Sequence, residues 1–291
     1  MSYATKALLI SGLALFSFNP LAMAEATADD ALARLNQVIA ARSADVKTRD
    51  NARHPAATLS FFQVSPGMTI AEALPGGGWY SQILAPYLGA EGALYGVNYV
   101  EEMWSMFGFM NEEQVKARIA STKAFPAKVA QFTDNGISVQ GFTFNSVPQD
   151  IYNTVDRVLI IRALHNLNRF EARAGTRSQA LAAVRVMLKD DGLVGVVQHR
   201  LAEDAEDAGA DGSRGYLKQP AVVAMFEQAG FELVSTSEIN ANPKDQPGPQ
   251  DIVWRLPPSF NDSKDNPERH AAMQAIGESD RMTLLFKKAG G

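Results

Sequence analysis

The chain contains no cysteine, which excludes disulfide bridges, thiolate-held metals and a cysteine nucleophile. Histidine is scarce as well, with four in 291 residues, so any two that converge carry information. Positive charge is not in excess. The 27 Lys and Arg stand against 32 Asp and Glu, for a formal net charge of −5. No basic stretch stands out, and nucleic acid is not an expected partner. Past residue 24 no segment is apolar and long enough to cross a bilayer, which takes roughly 20 residues.

The opening of the chain does carry an apolar run. Lys6 precedes Ala7 to Phe18, followed by Asn19-Pro20 and Leu21-Ala22-Met23-Ala24. A charged start, a short apolar stretch and an Ala-x-Ala site, in that order, predict a signal peptide over residues 1–24, cleaved after Ala24. The expected location is periplasmic or secreted. A large core needs no covalent staples, so the lack of cysteine agrees with export. Removing 24 of the 291 residues leaves 267, ample for one α/β domain with a core of its own. No internal repeat or low-complexity linker divides residues 25–291, so they read as a single domain with an N-terminal helical extension.

Apolar residues at helical spacing predict a helix over Ala28–Ala41 and a second one ending at Phe62. Strands and helices then alternate. Strands are expected at Thr69–Ala73, Gly92–Asn98, Ile137–Phe144, Val155–Arg162, Leu193–Gln198 and Phe231–Ile239, with a last one at Met282–Lys287. Helices are expected over Glu101–Thr122, Ser178–Leu188, Pro220–Ala229 and Pro267–Gly277, the last capped by Asn266. The pattern predicts an α/β fold, doubly wound around a mostly parallel seven-stranded sheet with an antiparallel strand at its C-terminal end. Ligands of such sheets bind beyond the carboxyl ends of the strands.

The most informative stretch is Met68-Thr69-Ile70-Ala71-Glu72-Ala73-Leu74-Pro75-Gly76-Gly77-Gly78-Trp79-Tyr80-Ser81. It reads as an apolar strand ending in a carboxylate, a glycine-rich loop, and the start of a helix. Glycines let the backbone turn sharply and approach a ligand closely, so a nucleotide-type cofactor pocket is expected there. Other polar residues fall at strand ends: Asn98 after the second strand, Arg162, His165 and Asn166 after the fourth, and His199-Arg200 after the fifth. Two of the four histidines therefore end strands expected to be neighbours. Taken singly, Arg53, Arg162, Arg200 and Asp280-Arg281 read as salt-bridge residues.

The order of elements, with its closing hairpin, resembles the class I S-adenosylmethionine-dependent methyltransferases. Six motifs resemble more closely a family of exported bacterial proteins described as predicted methyltransferases. These are Arg49-Asp50-x-x-Arg53-His54-Pro55, Glu72-x-x-Pro75-Gly76-Gly77-Gly78-Trp79-Tyr80, Leu84-Ala85-Pro86-Tyr87, Arg162-x-x-His165-Asn166, His199-Arg200 and Ser279-Asp280-Arg281-Met282. The resemblance implies that S-adenosylmethionine is the cofactor. It implies that Glu72, Pro75, Gly76, Gly77, Gly78, Tyr80, Asn98, Arg162 and Asn166 bind it, with Glu72 at the amino end of its methionine. Gly76 and Gly78 match the second and third glycines of the family's loop; Leu74 replaces the first. Asn98 stands where an acid usually grips the ribose.

Methyl transfer requires the methyl carbon, the nucleophile and the leaving sulfur in line, so positioning supplies much of the rate. His165 and His199 are the candidate bases, since an unperturbed imidazole titrates near pH 6.5. Tyr216 and the apolar Met103–Met110 surface are expected near a pocket for an unidentified, small-molecule acceptor. Two other readings stand beside this one. The first is a noncatalytic periplasmic protein that binds a small ligand on the same fold. The second is a metal-dependent enzyme using Glu72, His165 and His199.

Overall fold

The computed structural model describes residues 20–290. The charged start and apolar run expected of a signal peptide, Lys6 to Phe18, lie outside the described residues. The helix Pro20–Ala41 spans the expected cleavage point after Ala24. No helix among the described residues is long and apolar enough to cross a membrane.

Five strands form the parallel part of the sheet: β1 (Thr69–Ala73), β2 (Ala93–Asn98), β3 (Ser138–Thr143), β4 (Val155–Ile161) and β5 (Leu188–Leu201). β6 (Leu217–Lys218) is a two-residue strand beside the end of β5. β7 (Phe231–Ser237) and β8 (Arg281–Lys288) complete the order β3-β2-β1-β4-β5-β8-β7. β8 lies between β5 and β7 and is antiparallel to both. The fold is thus α/β, with a mixed, mostly parallel sheet and flanking helices. The path reverses between β1 and β4, where connections diverge and leave a crevice at the strand ends.

Each face of the sheet is apolar, as strands covered on both sides require. Ala71, Ala73, Val158 and Ile160 join the core of one face, with Phe226 and Phe286. Ile70 and Leu159 join the other, with Leu35, Leu59, Ile83 and Leu84 from the helices. The period of two puts Glu72 on the same face as Ile70, beneath the helix Ser81–Leu88. Gly96 and Gly141 are register partners on β2 and β3. A β-carbon on Gly96 would lie 2.6 Å from the Phe125 ring, and one on Gly141 would lie 1.9 Å from the Thr122 carbonyl oxygen. The paired glycines are what let the helices Glu112–Lys123 and Phe125–Val129 settle onto that edge.

The main path of the sheet has the seven strands expected; Leu217–Lys218 adds a two-residue pairing beside Arg200–Leu201, too short to carry a readable alternation. Two expectations are corrected. β5 starts at Leu188, directly after the helix Thr176–Met187. The helix expected over Glu101–Thr122 is two, Glu101–Met106 and Glu112–Lys123. Gly108 turns the chain between them at φ +74°. Asn111 and Gln114 then close a reciprocal capping box, with bonds of 2.9 and 3.0 Å, which starts a new helix.

Candidate functional site

The loop after β1 turns through left-handed backbone at Leu74 (φ +52°), Gly76 (φ +52°) and Gly78 (φ +81°). Leu74 therefore keeps the conformation that a glycine would hold at no cost, while adding a side chain. The glycines have different duties. A β-carbon on Gly78 would lie 2.9 Å from the Phe132 ring, so Gly78 serves packing. One on Gly77 would meet nothing within 4 Å, and one on Gly76 would meet the Leu74 carbonyl oxygen at 3.7 Å. Open space lies above these two. Lys128 Nζ donates to the Gly76 carbonyl at 2.9 Å and steadies the turn from the other side.

Glu72 lies under this loop. Ser81 Oγ, at the start of the following helix, donates to Glu72 Oε2 at 2.6 Å. Burial raises the Glu72 carboxyl to about 7, against the lowering effects of Ser81 and Lys128.

Three cavities open at the carboxyl ends of the strands, and Leu74 lines all of them. The first, about 630 Å³, runs from Gly76 past Asn98 to Trp104, Phe125 and Lys128. Asn98 Nδ2 donates to Thr122 Oγ1 at 2.9 Å, which turns its Oδ1 to the acceptor role. The second, about 520 Å³, lies between the glycine loop, Arg53, Arg162, His165, His199 and Trp254. The third, about 580 Å³, is walled by Tyr99, Trp104, Phe107 and Trp254. It shares Leu74, Arg162, Asn166 and Trp254 with the second.

The second cavity is rich in cations. Arg49 Nε, Arg53 Nε and Arg281 Nη1 bond to Glu278 at 2.7, 3.2 and 3.1 Å. One carboxylate thus serves three guanidinium groups. Burial would raise the Glu278 pKa, but Arg53, Arg281, Arg162 and Arg49 outweigh it and hold the group below its ordinary value. Burial, then repulsion from Arg162, brings Arg53 down to about 9. Arg162 sits at φ +56° directly after β4, and burial lowers it to about 10.

The two histidine rings, on neighbouring β4 and β5 ends, have centroids 5.4 Å apart. Gln198 Nε2 donates to the carbonyls of Gly215 (2.8 Å) and His199 (3.2 Å). Its Oε1 therefore accepts, lying 3.2 Å from both the backbone N and the ring Nδ1 of His165. The proton of His165 is assigned to Nδ1 by this network, and the lone pair to Nε2. Burial, together with Arg162 and Arg169, lowers His165 to about 4 despite the Gln198 bond. Burial and His165 push His199 well below its ordinary value. Its Nδ1 is 2.6 Å from Ser279 Oγ. Both imidazoles are neutral at neutral pH, and neither titrates near 6.5.

Pro75, Gly76, Gly77, Arg162, His165, Asn166 and His199 all line the second cavity, and Asn98 lines the first. Glu72, Gly78 and Tyr80 do not line the three cavities. Glu72 is engaged by Ser81, Gly78 abuts Phe132, and Tyr80 is a buried ring edge-on to Trp79 at 4.7 Å. Tyr216 lines none of the three cavities but packs edge-on behind His199, ring centroids 6.4 Å apart. Its hydroxyl is enclosed by Asp245 (3.1 Å) and Arg255 (2.7 Å). Met103 is core, whereas Trp104, Phe107, Phe109 and Met110 line cavities. No group of three His, Asp or Glu among the described residues is spaced to hold a metal, so Glu72, His165 and His199 do not form that ligand set.

Glu278, Gln198 and Trp254 escape sequence reading. Trp254 packs edge-on to His165 at 5.9 Å, held in place by the buried Arg255–Asp245 pair (2.7 Å). Asp245 also accepts from the backbone N of Asp280 at 3.0 Å, which ties the proline-rich segment to the start of β8.

No protein-family model and no curated protein matches the chain. Solved structures do. The geranyl diphosphate C-methyltransferase of Streptomyces coelicolor matches with a TM-score of 0.51 and 10% identity, over 83% of this chain and 80% of that one. The cyclase SpnF matches with a TM-score of 0.50 and 14% identity, over 82% and 81%. An S-adenosylmethionine-dependent methyltransferase from Aquifex aeolicus matches with a TM-score of 0.46 and 17% identity, over 71% and 93%. The chain has a class I methyltransferase-like fold. At such identities the likeness carries fold alone, and the names already span two reactions, so the reaction must be argued from the site.

Proposed function

We propose that the chain is an exported S-adenosylmethionine-dependent methyltransferase acting on a small molecule. The observation that carries this reading is the Leu74–Gly77 turn. It sits at the switch point of the sheet with open space over Gly76 and Gly77, between a cavity ending at Asn98 and one ending at the paired histidines. The residues fit the cofactor. Asn98 Oδ1 can accept from a ribose hydroxyl, Trp104 and Phe125 offer apolar walls to a purine, and Arg53 offers charge to the methionine carboxylate. The two close-approach glycines leave room where a side chain would intrude.

When bound, the cofactor supplies an electrophilic methyl group on a sulfonium sulfur. The chain's own contribution is orientation and exclusion of water. Leu74, Trp104 and Trp254 cover the junction of the cavities with apolar surface. His165, neutral and with its lone pair on Nε2, can take a proton from a nucleophile, but as a weak base. The site therefore suits an acceptor that is already deprotonated, or one that loses its proton easily.

Thermal unfolding with S-adenosylhomocysteine tests the reading. A ligand at about 100 times its Kd stabilises by about 2.7 kcal/mol, a shift of several degrees. Gly77→Asp, at a position where a side chain clashes with nothing, should fold normally and lose the shift. An equal shift in the variant, or none in the wild type, contradicts the reading. Export is tested by mass spectrometry of the protein from the periplasm or medium, where the expected N-terminus is Glu25.

A further inference from the structure

The third cavity has a composition that the cofactor does not explain. Its aromatic walls are Tyr99, Trp104, Phe107 and Trp254, with Phe109 exposed at its rim. Three arginines line it, Arg118, Arg162 and Arg169, and no Asp or Glu does. None of these three guanidinium groups is hydrogen-bonded or ion-paired among the described residues. Arg118 and Arg169 are set by ring contacts instead, Arg118 5.8 Å from the Trp104 centroid and Arg169 5.1 Å from that of Phe170. The nearby carboxylate, Glu278, lines the adjoining cavity and is already shared by Arg49, Arg53 and Arg281.

Arg162 occupies the neck between the second and third cavities, on left-handed backbone that strains a non-glycine residue. That conformation turns the chain at the end of β4 and leaves an unpaired guanidinium at the confluence. Two further lining residues carry buried polar atoms without partners: Trp104 Nε1, a donor, and Asn166 Oδ1, an acceptor. A buried polar atom of this kind is destabilising until a partner satisfies it.

We infer that this cavity binds a flat aromatic acid, its ring against Tyr99, Phe107 and Trp254 and its anionic group on Arg162. Aromatic walls favour a planar π-surface over an aliphatic chain. A planar guanidinium favours a carboxylate, bonded in bidentate fashion. The volume of about 580 Å³ is within the range of small-molecule sites and holds one or two fused rings. That this ligand is the methyl acceptor rests on the methyltransferase reading; that it binds does not.

Calorimetric titration of the full chain with naphthoate, with its neutral amide naphthamide, and with decanoate tests the inference without any cofactor. Naphthoate should bind at least about tenfold more tightly than the amide, the worth of one charge-assisted hydrogen bond, and more tightly than decanoate. Arg162→Gln should remove the preference for the acid over the amide. Equal binding of acid and amide by the wild type, equal binding of decanoate, or no naphthoate binding overturns the inference, whatever the variant does. A parallel titration with S-adenosylhomocysteine reports on the cofactor reading separately, so either can fail alone.

Discussion

Ser81 donates its hydroxyl to Glu72 across the glycine loop, joining the end of β1 to the helix that starts on the far side of the turn. The bond holds a carboxyl that burial pushes up to about 7. Between the unfolded value near 4.5 and this folded value, the folded chain binds more protons than the unfolded one. Stability contributed at Glu72 therefore falls as pH rises through that window.

Glu72→Gln keeps the hydrogen bond and removes the charge. The variant should be more stable than wild type at pH 8, by roughly 3 kcal/mol at most, and should lose the advantage near pH 4. Urea unfolding at both pH values measures it. A variant less stable at pH 8 would mean that the charged form of Glu72 is the one the fold favours.

The histidine pair predicts the opposite slope. His165 titrates near 4 when folded and near 6.5 when unfolded, so the unfolded chain binds more protons between those values. Stability should fall as pH drops from about 6.5 towards 4, and His165→Gln should lessen the fall by up to about 3 kcal/mol. NMR titration of the His165 ring checks the cause directly; a midpoint above 6 would contradict the burial argument.

Arg255 ties Tyr216 and Asp245 together inside the fold. Arg255→Ala leaves Asp245 charged, buried and without its cation, at a cost of about 3–5 kcal/mol. Because the pair fixes the segment bearing Trp254, the variant should also loosen the contact between Trp254 and His165, seen as a red-shifted tryptophan emission. A stability loss under about 1 kcal/mol would show that the pair is not the clamp.

Leu74 pays for left-handed backbone with strain of about 1 kcal/mol or more and offsets this by packing on the core of one face. Leu74→Gly trades the two and should unfold within about 1 kcal/mol of wild type, with a wider junction and tighter S-adenosylhomocysteine binding. Weaker binding would show that the side chain is part of the cofactor's wall.

Much of the fold is legible in the sequence because local signals and burial agree. Thr69–Ala73 is apolar but for Thr69 and Glu72 and follows a Pro-Gly turn, and it is β1 to the residue. Asn266 caps its helix by accepting from Arg269 N at 3.0 Å. The interruption near Gly108 is missed because Met103, Trp104 and Met106 continue an apolar pattern that conceals the Asn111 cap. At the site, strand order alone brings His165 and His199 together. Glu278 is silent in sequence, since its meaning lies in three arginines from distant segments. Tyr216 lies near the site as expected, behind His199, but its hydroxyl is locked into the Asp245–Arg255 pair, which the sequence does not show.

We propose above that the loop from Leu74 to Gly77 cradles S-adenosylmethionine. Calorimetric titration of the full chain with S-adenosylmethionine and S-adenosylhomocysteine, beside Gly77→Asp and Asn98→Ala, tests it most directly. The wild type should bind both ligands saturably, with binding abolished in the first variant and weakened about tenfold in the second, as loss of a ribose hydrogen bond requires. A folded wild-type protein that binds neither ligand, or a Gly77→Asp variant that binds both as well as wild type, would contradict it.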